Sequence, residues 1–163
     1  MKHLSALLAL MLLSATTLQA GDGVTPYRDT DTVMNAAIED AQNTLDRFVR
    51  NAFDNSGHAG PDASVKVGFD VGQNGVEVIW VTNLTKTGRR WTGRLNNDPV
   101  FMDGVSYGDA VRFSTNQIYD WTYSLGGKAY GSYTTRVILE GLDTEARAQV
   151  RATLSDRPLP PGW

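Results

Sequence analysis

The stretch SVKVGFDVGQNGVEVIWVTNLT (residues 64–85) decides the fold class. Val65, Val67, Phe69 and Val71 alternate with Lys66, Gly68 and Asp70, the period of two expected of a half-buried strand. Gln73-Asn74-Gly75 then interrupts the pattern, and an Asn-Gly pair between alternating runs signals a hairpin. Val76 to Thr85 makes the return strand, and its density of Val, Ile and Trp predicts that both of its faces are largely covered. A hairpin of this kind needs more strands and a packing partner to be stable.

Both are present on either side. Downstream, Lys86-Thr87-Gly88 turns the chain into Arg90 to Leu95, and Asn96-Asn97-Asp98-Pro99 forms another turn. Further strands are expected at Ala110 to Ser114 and Ile118 to Ser124, the last closing with Leu125-Gly126-Gly127-Lys128. Upstream, Asp31 to Phe53 places Met34, Ile38, Ala41, Leu45, Phe48 and Ala52 at alternating steps of four and three. That spacing draws one apolar stripe along a helix, with Asp31 or Thr30 as N-cap. After the strands, the β-branched residues of 132–140 suit a strand, whereas Gly131-Ser132 as entry and Gly141 as stop favour a short helix, so both readings stay open. Asp143 caps a helix from Thr144 to Leu154, which carries Ala146, Val150 and Leu154 on one side. The expectation is an α+β domain: an N-terminal amphipathic helix, about five short antiparallel strands in a curved sheet or small open barrel, and one or two short C-terminal helices.

The ends read differently. Met1 to Ala20 has a basic start at Lys2, an apolar core from Leu4 to Leu13 and a small polar segment ending at Ala20. This is the layout of a cleavable secretory signal and too short to span a bilayer. Residues 21–30 read as a flexible lead-in, 31–156 as a single globular domain, and 157–163 as an extended proline-rich tail. Cleavage would leave 143 of the 163 residues and remove Lys2, so 14 Lys plus Arg would face 18 Asp plus Glu at a net charge of −4. An acidic chain of this kind lacks the basic footprint of a nucleic-acid binder. With no cysteine, thiol catalysis and thiolate metal sites are excluded.

Little of the remaining sequence carries catalytic chemistry. After the leader the one histidine is His58, in the loop Asn55 to Pro61. A lone imidazole supports neither a metal site nor a Ser-His-Asp site, so no metal and no cofactor are expected. Asp109 and Asp120 flank strand ends and form the candidate acid/base pair of an envelope-polymer hydrolase, provided they converge within about 10 Å. The densest cluster of binding-type residues is Tyr119, Trp121, Tyr123, Tyr130 and Tyr133 with Lys128. Aromatic side chains with polar tips favour interfaces, and Trp80, Trp91 and Arg136 are expected to border the group. These features predict an exported module, periplasmic or extracellular, that binds another exported or envelope protein in the manner of an inhibitor or immunity protein. A hydrolase and a structural envelope component are the alternatives.

Over Met34 to Leu142 the chain resembles the bacterial domain of unknown function 2314 family, which includes the YegJ-like proteins. The resemblance is carried by Met34-Asn-Ala-Ala-Ile-Glu-Asp-Ala41, Val65-Lys-Val67, Val78-Ile-Trp80-Val81, Gly93-Arg-Leu-Asn96 with Pro99, Gly108-Asp-Ala-Val111, Ile118-Tyr-Asp-Trp121 and Gly131-Ser-Tyr-Thr-Thr-Arg-Val137. It implies a fold and brings no catalytic residues with it.

Overall fold

The computed structural model describes residues 31–163, so the expected secretory leader and lead-in lie outside the described residues. Helix α1 (Thr32–Ala52) begins where Asp31 accepts hydrogen bonds from the amides of Val33 and Met34 at 3.1 and 3.0 Å. The expected stripe is its buried face, with Ala41 and Phe48 almost fully enclosed. Each large apolar side chain buried this way contributes about 1.5–3 kcal/mol.

Six strands follow: β1 (Ala63–Asp70), β2 (Val76–Thr87), β3 (Arg90–Leu95), β4 (Ala110–Ser114), β5 (Ile118–Leu125) and β6 (Lys128–Gly131). All pairings are antiparallel, in the order β4-β3-β2-β1-β5-β6. The sheet is open, so the barrel alternative does not hold. One more strand is present than expected, because Lys128–Gly131 pairs with Thr122–Leu125.

Val65, Ile79, Val81, Leu95, Val111, Phe113 and Trp121 point to one face and form the core beneath α1. Rings run through that core in contact: Trp163, Trp121, Phe48, Phe53, Trp91 and Phe113 meet in succession at centroid distances of 5.1–6.0 Å. The other face of the sheet is far less covered. Val78 and Trp80 are only half-buried and Val76 is 38 % exposed, so β2 is enclosed on one face and not on both.

The segment 132–140 is helical, as α2 (Tyr133–Ile138) and a 3₁₀ turn over Leu139–Gly141. Gly131 and Ser132 both take left-handed backbone conformations, φ +70° and +52°, and fold the chain sharply off β6. A side chain at Gly131 would put its Cβ 2.3 Å from the Trp121 carbonyl oxygen and 2.5 Å from the Trp121 ring. Glycine is needed there on both counts. Helix α3 (Thr144–Thr153) starts at Asp143, which accepts from the Ala146 amide at 2.9 Å.

Residues 157–163 do not extend away from the domain. The Gly131 amide donates to the Pro158 carbonyl at 2.6 Å, the Ser155 amide donates to the Ala129 carbonyl at 3.0 Å, and Leu154 bridges Ala129 in parallel. Trp163 then lies on Trp121, 5.9 Å away and nearly parallel, and 5.0 Å from Tyr123.

Candidate functional site

The hairpin β5–β6 gathers most of the aromatic residues expected to form a surface, but the chain itself occupies them. Trp121 is fully buried between Phe48 and Trp163, and its indole N–H donates to the Ala41 carbonyl at 3.2 Å and to Thr44 Oγ1 at 3.1 Å. Tyr133 meets Trp121 edge-on and shares a hydrogen bond with the Thr44 side chain. Burial holds its phenol above the ordinary tyrosine pKa. Tyr123 and Tyr130 face each other across the strands and pack on the core. Tyr119 is half-buried over Gly68, where a Cβ would come within 3.0 Å of the phenol ring.

The cations of this region are also engaged. Lys128 Nζ donates to the Ala152 carbonyl at 2.6 Å, in the last turn of α3. Arg136 donates to the Gly131 and Ser155 carbonyls and to Ser155 Oγ, and burial lowers its pKa. Trp91 does not border the hairpin: it is enclosed on β3 with its N–H on Thr115 Oγ1. Trp80 stands on the opposite face of the sheet from Trp121, with Lys66 Nζ 5.0 Å from its ring centroid.

Asp120 is fully buried. Its carboxylate accepts from the amides of Trp121, Tyr133 and Thr134 and from the Thr134 hydroxyl, at 2.7–3.1 Å. Ser132, at the start of α2, makes no capping bond of its own, so Asp120 receives the free amides of the first turn from a neighbouring strand. Burial raises its pKa, while the Thr134 and Trp121 donors and the charge of Lys66 pull it back down. Lys66, itself 9 % exposed, reaches Thr134 Oγ1 at 3.3 Å.

Asp109 does not join Asp120. Asp109 directly precedes β4 and Asp120 lies on β5, strands four places apart in the sheet, about 19 Å at the usual strand spacing. Asp109 Oδ2 instead accepts from the Ser106 amide at 2.9 Å, closing a turn. His58 also has a local role. Asp54 accepts from the amides of Ser56 and His58, and the His58 bond is the main reason its carboxyl sits below the usual range. Among the described residues no three His, Cys, Asp or Glu side chains group as metal ligands.

What the sequence did not single out is the loop between β3 and β4, residues 96–109. Its first residues run beside β2, with the Asn96 amide on the Trp80 carbonyl and the Trp80 amide on Asn97 Oδ1. Glu77, fully buried on β2, then holds the loop by both oxygens: Oε1 accepts from Val100 N at 2.5 Å and Oε2 from Phe101 N at 2.9 Å. Asp98 accepts from the Tyr107 amide at 2.7 Å, and Met102 and Val105 pack on the core. Between these anchors Val100, Phe101 and Tyr107 are 62, 43 and 59 % exposed. The available signal was Glu77 itself, a carboxylate at an inward position among Val and Ile.

A six-stranded antiparallel open sheet with one long helix across a single face defines an α+β domain of the single-sheet kind. The chain belongs to the bacterial family described as "Uncharacterized protein conserved in bacteria (DUF2314)", whose model matches residues 31–155. It is 31 % identical to the uncharacterized protein YegJ of Escherichia coli K12 over 121 residues, covering 74 % of this chain and 76 % of that one. It is also 30 % identical over 136 residues to a protein of Neisseria meningitidis serogroup B whose name describes an ankyrin-repeat protein. That match covers 79 % of this chain and 54 % of the relative, so the chain spans about half of that protein. No solved structure matches it.

Proposed function

We propose that this chain is an exported, non-catalytic module that binds another protein of the bacterial envelope, as an inhibitor or immunity protein does, and that it does so through the loop 96–109. The observation that carries this reading is an exposed apolar trio, Val100, Phe101 and Tyr107, on a backbone fixed by the buried Glu77 carboxylate. Apolar side chains on a loop held in one conformation bind with less ordering cost than those on a free loop. The hairpin supports the reading less well, since its rings and cations are already satisfied within the chain. The apolar leader Leu4 to Leu13 supports export to the periplasm or beyond.

The test uses protein recovered from cells that express the full chain. Its mass should correspond to a start at Gly21; an intact leader on cytosolic protein would overturn the export part. The recovered protein is then used to capture partners from envelope extract, beside a Phe101→Ser/Tyr107→Ser variant and a Lys128→Ala/Tyr133→Ala variant. A partner lost only with the loop variant, and confirmed by direct binding after purification, is expected. A partner lost only with the hairpin variant returns the surface to β5–β6, and capture of none removes the binding reading.

A further inference from the structure

The sheet has two edges, and the described residues cover only one. Beyond β6 the segment Leu154–Pro158 lies alongside, through the Leu154–Ala129 bridge and the Ser155–Ala129 and Gly131–Pro158 hydrogen bonds. Beyond β4 no strand of the described residues follows. The Leu95 amide donates to the Asp109 carbonyl, which fixes the alternation along β3–β4. Val111 and Phe113 exchange bonds with β3, while Ala110 and Arg112 turn their backbone N–H and C=O out of the sheet. Such an edge is a template for one more strand.

The charged side chains that β3 and β4 carry on the face away from the core are of one sign. On the face away from the core, β3 and β4 carry Arg90, Arg94 and Arg112, all exposed, with Arg112 directly opposite Thr92 and so diagonal to both other arginines. Their β2 neighbours on that face are Thr82, Thr85 and Thr87. Arg94 reaches only the Gly108 carbonyl, at 2.9 Å. Among the described residues the ion pairs within 4.0 Å are His58–Asp54 and Arg151–Glu140, so none of the three meets a carboxylate. The chain as a whole carries −3, but screening confines each charge to about 8 Å, and within that range the face is basic.

We propose that the open edge of β4 accepts an extended acidic segment of a partner protein as a seventh strand, with its carboxylates, one at every second residue, over Arg112 and Arg94. This deepens the reading of the chain as a binding module and rests on it. A second copy of the chain is the poorer occupant. Two β4 strands paired antiparallel about their centres would set Arg112 against Arg112, and like charges directly opposite one another destabilise a pair. An acidic strand gains both the edge hydrogen bonds and the charges, whereas a polyanion without a peptide backbone gains only the charges.

The probes are a synthetic strand of alternating Glu and Val, the same strand with Lys for Glu, and dextran sulfate. Each is titrated against the exported protein, with amide shifts and hydrogen exchange as the readout. The Glu/Val strand should shift amides at Ala110–Ser114 and slow exchange of the Arg112 amide. Its affinity should fall about tenfold in Arg94→Glu/Arg112→Glu, which should now prefer the Lys strand. An Arg47→Glu/Arg50→Glu variant, with the same charge change on α1, should bind as the wild type does. Failure of the Glu/Val strand to bind, or equal loss in both variants, would falsify the proposal. Dextran sulfate shifting the arginine face without protecting the Arg112 amide, where the peptide does no more, would reassign it to a non-peptide polyanion. If the edge does not bind while an envelope partner is still captured through Phe101, this inference fails alone. If the strand binds and no partner is captured, the functional reading fails instead.

Discussion

The two edges of the sheet are finished in opposite ways. At β6 the chain returns on itself. Leu154 to Pro158 runs alongside the strand, and Trp163 covers the ring of Trp121 that the short strand leaves bare. At β4 no described strand follows, and the edge is flanked by three exposed arginines and by a loop that holds its apolar residues outward. The aromatic-rich edge is therefore the closed one, and the edge whose residues looked ordinary is open. Aromatic and cationic content shows what a segment is able to bind, and the chain's own tail was able to bind it first.

The sharpest test of the closed edge is Asp120→Ala. It would leave the Tyr133 and Thr134 amides without an acceptor and Lys66 buried without a nearby counter-charge. We expect a loss of about 3–4 kcal/mol in urea unfolding, with α2 the first element to lose amide protection. The pH dependence carries its own sign. Because burial raises the folded-state pKa above the ordinary aspartate value of 3.8, the folded state binds the proton more tightly than the unfolded chain. That contribution is complete below about pH 3.8 and is lost as pH rises through the folded pKa. The stability of the wild type relative to Asp120→Asn should thus fall as pH is raised from about 3.8. A difference that instead grows with pH would mean that the carboxylate is held charged.

Trp163→Ala should have the next largest effect. The ring is half-buried against Trp121 and Tyr123, so a loss of about 2 kcal/mol is expected. Trp121 would gain contact with water, and its fluorescence should move to longer wavelength. If stability and emission are both unchanged, the tail does not close this edge and the hairpin regains its claim as a surface.

How far the sequence led differs between these regions for physical reasons. The α1 stripe and the Asp31 and Asp143 caps depend on residues within four positions of one another, and the structure has them as read. Strands β1 to β5 were legible from their period of two. β6 was not, because four residues, the last of them a glycine, are too few to show a period. The packing of the tail was hidden as well. Three prolines limit a regular ladder, but they leave the Pro158 carbonyl free to accept from Gly131, a contact between residues that only the fold brings together. Which rings face inward depends on the register of β5 against β1, and that register shifts between Lys66 and Val67. No local pattern encodes the shift. For the same reason the sequence could name Asp109 and Asp120 as a pair but could not show that three strands separate them.

Asp109→Asn should have the smallest effect, and it contrasts most directly with Asp120. Both carboxylates accept backbone amides, but Asp109 is exposed and receives only the Ser106 amide, 2.9 Å from Oδ2. An asparagine carbonyl can accept that bond equally well, and no buried donor or cation depends on the charge. The change should therefore remain within about 0.5 kcal/mol in the same urea titration. The conformation of the loop should also survive, since Glu77 and Asp98 hold Val100, Phe101 and Tyr107 by their amides independently of Asp109. Amide shifts confined to Ser106–Ala110, with partner capture unchanged, are the expected record. If partner binding were lost while the fold stayed intact, the Asp109 carboxylate itself would be part of the contact. The binding surface would then carry a negative group beside its apolar trio, and the basic face of β3–β4 would no longer be the only electrostatic feature of this edge to set the choice of partner.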